Sequence, residues 1–547
     1  MTLSIGPTAR PTRTPGMSAV RRTFAAHAEA QRRGMPVDEL LGTHGLLGTH
    51  TRRELIAAGA GALAGAALAG HPLARAAGAL RGRAPRVAIV GAGLAGLRCA
   101  HLLWTEATGA PIAATVYEGN PERAGGRCWT LRGFFDAGLI TEHGGAFIDT
   151  THVAVRRLAA QLGLEEEIVN GGDLPSGEEA RWIDGAYYTE AQANADWASV
   201  GFHAFRSAAR EMRSLAGEAR LDSLSVPEWL DSTDIGSSSR LGKLLLANTV
   251  TENGGDPGDQ SALDLIEVTA ASPRTPLELL PGDDEKFHVA GGNDQLVSGM
   301  IAELEPGAVK HGHRLVALRA NADATSTLSF DVGASTVDVT ADYVVLALPF
   351  STLRDVDLSQ SGLSATKQTV IQTFGMGTNA KVHVELSRKT WRALGFAGAA
   401  YGEWDRFCCA WDDSVPLGAD ASPALLLGFP GGDVGRSLLT GEAHAAAPAA
   451  DVDWFLGEIE PVYPGTSAVY TGRAYEDHWA LDPWVMGAYS YCKVGQAATY
   501  ARLAAAPEGR IHFAGEHTSR EFQGFLEGAV ISGERAAREL LGKLGGR

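Results

Sequence analysis

Arg86-Val87-Ala88-Ile89-Val90-Gly91-Ala92-Gly93-Leu94-Ala95-Gly96 decides the fold of this chain. The first five residues read as a buried strand. The next six form a glycine pattern that feeds into Leu97 to Trp104, a run that continues as a helix. Gly91 permits the tight turn, Gly93 lets backbone approach a pyrophosphate, and Gly96 lets helix and strand pack closely. The helix N-terminus adds free N–H groups and partial positive charge for phosphates. A second strand, Ala114 to Tyr117, ends at Glu118, 27 residues after Gly91. An acid at that distance binds the ribose of an adenosine and disfavours a 2′-phosphate, leaving FAD or NAD as the dinucleotide.

The rest of the 547 residues is ample for three or four domains' worth of chain, and 45% apolar with 20% charged residues describes a globular protein. A net charge of −17 argues against binding nucleic acid or anionic lipid, and points to small-molecule partners without stable membrane insertion. Cys99, Cys128, Cys408, Cys409 and Cys492 are too few for a disulfide scaffold, and none has metal-site spacing, so no metal is expected. The neighbours Cys408 and Cys409 read as two core cysteines.

Met1 to His50 has no sustained apolar period and reads as disordered. Arg52-Arg53 then precedes sixteen uncharged residues, Leu55 to Gly70, and Ala74-Arg75-Ala76 supplies a small-residue cleavage pattern. Residues 1–76 are expected to be a disordered N-terminus and a twin-arginine-type signal, giving a periplasmic or extracellular protein, or a cytoplasmic one where the signal is not used. Translation from Met17 or Met35 fits the same pattern.

Downstream, EGNPERAGGR (Glu118 to Arg127), Gly144-Gly145-Ala146-Phe147-Ile148, FHVAGGNDQLV (Phe287 to Val297), ADYVVLALP (Ala341 to Pro349), MGTNAKVHVE (Met376 to Glu385) and DPWVMGAYSY (Asp482 to Tyr491) follow in order. Together with RIHFAGEHTSREFQGFLEGAVISGERAA (Arg510 to Ala537), they resemble the flavin-containing monoamine oxidase family, which includes polyamine and L-amino-acid oxidases. The resemblance selects FAD over NAD. It implies cofactor contacts at Gly91, Gly93, Leu94, Ala95, Gly96, Glu118, Gly126, Gly144, Gly145, Ala146 and Phe147, with Arg127 neutralising phosphate charge. Backbone at Val316, in a strand from His313 to Leu318, is implicated in holding the adenine.

In the last block, Ile511 to Ala514 reads as a short buried strand. Gly515-Glu516 reads as a turn whose N–H groups meet the second phosphate while the carboxylate accepts from ribityl hydroxyls. Beyond Gly524, Phe525, Leu526, Ala529, Val530, Ala536, Ala537 and Leu540 recur at helical spacing. The resemblance puts that helix start, Gly524 to Leu526, against the flavin, where its positive end would stabilise negative charge on the reduced ring.

Amine oxidation moves a hydride equivalent from the carbon beside a neutral nitrogen, and the protein supplies positioning, desolvation and electrostatics. Tyr489 and Phe525 match the family's two cage positions, and Phe147 and Trp484 complete the expected substrate pocket. Lys381 lies in an alternating strand, Ala380 to Glu385, which by pattern alone suits a lysine pointing outward. Its family counterpart holds a water against the flavin, so the resemblance makes Lys381, Tyr489 and Phe525 the catalytic set. Ala488 stands where covalently flavinylated relatives have cysteine, so FAD is expected to be noncovalent. Phe147 stands where venom-type L-amino-acid oxidases carry a carboxylate-clamping arginine, which favours amines.

The expected fold is α/β, a Rossmann-like FAD domain from segments 77–150, 286–370 and 470–547, with a mixed α+β substrate domain from 151–285 and 371–469. The first substrate segment reads as mainly helical, with a helix from Val153 to Leu164 and a loop near Thr251 to Ser261. The leading function is an FAD-dependent amine oxidase forming an imine, then aldehyde or ketone, with dioxygen reduced to hydrogen peroxide. An L-amino-acid oxidase or dehydrogenase and a non-catalytic flavin-binding protein stay open, as do the exact substrate and a homodimer.

Overall fold

A computed structural model describes residues 84–107, 111–170, 177–270, 276–279, 284–418, 420–437 and 440–544. The expected signal segment lies outside these residues. Among the described residues no helix is long and apolar enough to cross a membrane.

Val87–Val90 forms the central strand of a five-stranded parallel sheet, paired with Tyr343–Leu346 on one side and Ala114–Tyr117 on the other. Ile511–Phe513 and Val309–Lys310 take the two edges. Val87 to Val90 is buried throughout, which explains the unbroken apolar run: a parallel strand covered on both faces has no polar side to present. On one face, helices Leu94–Thr105 and Leu526–Leu544 pack over Val87, Ile89, Val116 and Val345. On the other face, Ala88, Val90, Val344 and Leu346 share a core with a three-stranded antiparallel sheet, Arg314–Ala320, Ser326–Val332 and Ser335–Ala341. This is the Rossmann-like dinucleotide-binding arrangement that the glycine pattern implied, with helices over one face and the antiparallel sheet over the other. A Cβ at Gly96 would collide with the carbonyl oxygen of Gly91, so helix and turn sit as close as the sequence required.

A second, eight-stranded sheet runs in the order His444–Ala446, Tyr470–His478, Ala380–Leu386, Ala424–Gly428, Cys409–Asp412, Phe396–Tyr401, Glu178–Ile183, Ala186–Tyr187. Its core gathers Val382, Val384, Leu386, Trp391, Leu426, Phe455 and Tyr463. Two expectations change here. Tyr470–His478 pairs with Ala380–Leu386 in this sheet, so the last FAD segment does not begin at residue 470. Ala380–Leu386 is buried along its whole length as an interior strand, so Lys381, His383 and Glu385 share one face that is covered and does not meet water.

The helical segment differs at its end as well. Helix Arg240–Asn253 continues through Thr251 and Glu252, which the sequence suggested were loop, and stops at Gly254 in the left-handed conformation with φ +66°. Leu241, Leu244, Leu245 and Val250 bury its apolar side, and that packing carries the helix past the polar residues to the first glycine able to close it.

Candidate active site

One cavity of about 240 Å³ joins the glycine turn to the second sheet. The sequence-expected residues on its wall are Gly91, Gly93, Leu94, Ala95, Glu118, Gly126, Arg127, Gly144, Gly145, Ala146, Phe147, Lys381, Trp484, Tyr489, Gly515, Glu516, Gly524, Phe525 and Leu526. Gly96 acts from behind the turn, through the close packing already described.

The dinucleotide end is prepared for an anionic, ribose-bearing ligand. Gly91 holds φ +102°, and a Cβ there would lie 2.8 Å from the Ala347 carbonyl oxygen. The Glu118 carboxylate accepts from the N–H of Ala92 at 2.7 Å and of Asn120 at 2.8 Å, one bond to each oxygen, which leaves each able to accept from a hydroxyl. Burial pushes this carboxyl above its ordinary value against those two bonds. Arg127 donates through Nη2 to Glu516 Oε1 at 3.0 Å, while its buried Nη1 has no partner, a cation donor left for phosphate. These residues fit FAD.

Val316 is not brought to this cavity. Its carbonyl accepts from the Asp357 N–H at 2.9 Å, at the irregular step between Leu315 and Ala317, which ties this part of the strand to the chain beside it. Gly515 also departs from expectation: its N–H donates to Ser532 Oγ at 2.9 Å. Glu516 is no open acceptor either. Oε1 receives Arg127 and the Ser490 N–H, and Oε2 receives the Ser490 hydroxyl at 2.7 Å and the Gly524 N–H at 2.8 Å. Burial opposes ionisation of this carboxyl, but Arg127, His517 and these donors outweigh it and hold it below the ordinary range. Trp484 lines the cavity against Gly119, next to Glu118, and so belongs to the cofactor end and not to the substrate slot.

At the other end, Tyr489 packs on Gly524, the residue before Phe525, and its hydroxyl donates to the Thr251 carbonyl. Phe525 meets the His152 ring edge-on with centroids 5.2 Å apart. Phe147 stands 5.6 Å from Trp411, which stands 5.2 Å from Phe429, and together they make an aromatic wall. No motif marks Trp411 or Phe429; the second sheet alone brings them here.

Lys381 is 3% exposed and donates to the carbonyls of Glu142 at 2.7 Å and Gly144 at 2.8 Å. Burial lowers its pKa, against the opposing charges of Asp413, Asp477 and Glu142. Asp477 lies opposite it on the neighbouring strand. Asp477 Oδ1 bonds the Nδ1 atoms of His143 and His444, both at 2.6 Å, and Oδ2 bonds His383 at 3.1 Å. Burial opposes ionisation of Asp477, yet three imidazoles keep its carboxyl well below the usual carboxylate range. His143 falls between Glu142 and Gly144, so this cluster fixes the loop whose carbonyls grip the lysine.

Cys128 lines the cavity, donating to the Asn293 carbonyl at 3.3 Å, and burial pushes its thiol well above the usual range, which leaves it a poor nucleophile. Ala488 also lines the cavity, whereas Cys492 is buried outside its wall. Cys408 and Cys409 are buried and free.

Residues 94–541 match the family described as flavin containing amine oxidoreductase. The flavin-containing amine oxidase of Danio rerio is 26% identical over 485 residues, spanning 84% of this chain and 86% of the relative. The B-type flavin-containing amine oxidase of Sus scrofa is 26% identical over 487 residues, with 84% and 86% covered. Among solved structures, cyclohexylamine oxidase from Brevibacterium oxydans IH-35A superposes with a TM-score of 0.71 at 22% identity, over 85% of this chain and all of that one. A putrescine oxidase bound to putrescine gives 0.69 at 21% identity, over 84% and 99%.

Proposed function

The chain belongs to the flavin-containing amine oxidoreductases, and from that premise we propose that it oxidises a neutral amine, held between Tyr489 and Phe525, to an imine, with dioxygen as final acceptor. The observation that carries this reading is the single cavity that links the phosphate cradle at Gly91 to an aromatic slot with Lys381 on its wall. FAD, when bound, supplies the two-electron acceptor. Tyr489 and Phe525 orient the amine between apolar faces, and exclusion of water there favours the uncharged nitrogen. The substrate carbon gives up a hydrogen with its electron pair and the nitrogen a proton; water then adds to the imine and releases the aldehyde or ketone. Dioxygen takes up two electrons and two protons to give hydrogen peroxide. Lys381 spends two N–H groups on carbonyls and keeps one position on Nζ for a water. FAD is held without a covalent bond in this reading, because Ala488 and a protonated Cys128 offer no attachment.

Amines are favoured over amino acids by the charges at the slot. A substrate carboxylate needs a cation there. The guanidinium groups on the wall are Arg127, paired with Glu516, and Arg123, which bonds the Gly126 carbonyl at 2.7 Å and sits 3.6 Å from Asp482. The test is anaerobic bleaching of the yellow protein near about 450 nm with panels of amines and L-amino acids, followed by air and a peroxide assay. Bleaching by amines with peroxide on aeration is expected; bleaching by amino acids alone overturns the reading.

Export through a twin-arginine route is the companion proposal, supported by the order of Arg52-Arg53, the uncharged run and the small-residue site. Replacing Arg52 and Arg53 with lysine should leave the protein in the cytosolic fraction of producing cells. Unchanged export of that variant would refute it.

A further inference from the structure

A second cavity, of about 40 Å³, lies behind the first. Ala146 and Phe147 line both, so the partition there is a single layer of chain. Lys381 bridges the same partition. Of the two residues whose carbonyls it engages, Gly144 stands on the wall of the larger cavity and Glu142 on the wall of the smaller. The smaller cavity has room for about two to three waters, at roughly 10–15 Å³ for each. Its outer wall includes His288, whose ring bonds Glu167 at 2.8 Å, and the Glu167 side chain is 44% exposed. The space therefore runs from behind the lysine toward solvent.

Three acids stand on the wall of this second cavity, and two of them are spent. The Glu142 carboxylate accepts from the Thr130 hydroxyl and from the Asn293 N–H at 2.8 Å. Asp412 pairs with Lys389 at 3.0 Å and accepts from the N–H and hydroxyl of Ser414. Asp413 differs. Its Oδ1 accepts from the Trp411 indole N–H at 3.2 Å, while its buried Oδ2 has no partner among the described residues. The ring of that same Trp411 lies 5.9 Å from Lys381 Nζ, so one indole stands beside both groups. Burial lowers the lysine's pKa, and of the charges that oppose it Asp413 acts most strongly. A buried carboxylate oxygen left without a donor is costly, and a proton or a water brought to it relieves that cost.

The proposed reaction needs such a place. Dioxygen takes up two electrons and two protons, whereas the hydride taken from the substrate carbon accounts for both electrons and only one proton. The second proton leaves the amine nitrogen in one half of the cycle and is taken up by oxygen in the other, so between the two it has to be stored or exchanged. An aromatic slot is a poor medium for a charge in transit. We propose that Asp413 relays this proton between Lys381 and bulk solvent through water held in the second cavity, with Phe147 keeping that wet path apart from the substrate slot. Asp413 acts through Lys381 and does not touch the substrate. The proposal rests on dioxygen as the final acceptor and not on which amine is oxidised.

Photoreducing the holoenzyme without substrate forces the second proton to come from bulk, and mixing with oxygenated buffer in H2O and in D2O then measures the return of yellow colour. Asparagine at position 413 keeps an acceptor for the Trp411 indole but carries no proton. Asp413→Asn is expected to reoxidise at least about tenfold more slowly than the parent, the scale of a lost proton-transfer group, and to show the larger solvent isotope effect. Formate, small enough for the second cavity, should restore most of the rate to Asp413→Ala and leave the parent unchanged; a merely structural role for Asp413 predicts no rescue. A high-resolution crystal structure of the parent should show ordered water between Lys381 Nζ and the Asp413 carboxylate, a readout independent of turnover. An unchanged rate and isotope effect in Asp413→Asn, an alanine variant that formate does not rescue, or a dry second cavity overturns the proposal. A parent enzyme whose reduced flavin does not react with air is a different result, and it overturns the dioxygen reading instead.

Discussion

A Lys381→Met holoenzyme is expected to stay yellow and to bleach with amine, yet to reoxidise in air at least about a hundredfold more slowly than the parent, the usual scale for losing a positioned proton-handling group. The expectation follows from where the structure spends the lysine. Two of its N–H groups are fixed by the Glu142 and Gly144 carbonyls, so the remaining position on Nζ has a defined direction instead of a swinging one. The Asp477 cluster keeps the gripping loop in place through His143. Rapid-mixing of the reduced protein with oxygenated buffer measures the rate, and an unchanged rate sinks the assignment.

Lys381→Met also strands the buried Glu142 carbonyl, at about 1–3 kcal/mol, and the partly buried Gly144 carbonyl beside it, so a slow rate could reflect a loosened loop. Lys381→Gln is the control: its amide retains two N–H donors for Glu142 and Gly144 but accepts no proton. The glutamine variant should recover thermal stability relative to methionine and remain slow. Recovery of the parent's rate by glutamine would refute the proton-handling role. The pH range of the effect is fixed as well. Burial lowers the lysine's pKa, so the parent's reoxidation should change with pH below the usual lysine value of about 10.4, and that change should vanish in the methionine variant.

The legible parts of this fold are those whose chemistry is local. Gly91, Gly93, Gly96 and Glu118 announce themselves because a strand, a turn and a helix N-terminus within one short unit demand those residues at those distances. Lys381 illustrates the limit. Alternation in Ala380–Leu386 is a true strand signal, but whether the polar face meets water or another layer depends on neighbours such as Tyr470–His478, far away in sequence. The place of Thr251 and Glu252 on the cavity wall was hidden for a related reason. Thr251 and Glu252 look like loop residues by composition, and only the buried side of helix Arg240–Asn253 carries the helix over them. Trp411 and Phe429 come from separate stretches with no spacing in common, so no pattern could group them before the second sheet did.

Glu516→Ala should give the largest loss of cofactor, with apparent FAD affinity falling at least about a hundredfold, the equivalent of the about 3–5 kcal/mol expected when one partner of a buried ion pair is removed. The sequence suggested a carboxylate reaching ribityl hydroxyls, whereas its four bonds tie together Arg127, Ser490 and Gly524. Arg127 faces the phosphate end, Ser490 follows Tyr489, and Gly524 precedes Phe525, so one side chain sets cofactor charge and both slot rings at once. Alanine leaves all four donors without an acceptor in a nearly dry place, since Glu516 is 5% exposed. Flavin in the filtrate after heat denaturation measures occupancy: the parent should release one FAD per chain, as a noncovalent cofactor must, and the variant little. Acid should reproduce the effect in the parent. The folded carboxyl lies below its ordinary value, so its contribution is complete above the usual carboxylate range and disappears as pH falls through the folded value. FAD release should therefore set in only below about pH 4.3, the ordinary glutamate value. Glu516→Gln, which keeps one accepting oxygen but turns N–H groups toward donors, should fall between parent and alanine. Full FAD occupancy in the alanine variant would show that Arg127 and the slot rings hold their positions without this carboxylate, and would break the link from Glu516 to both ends of the site.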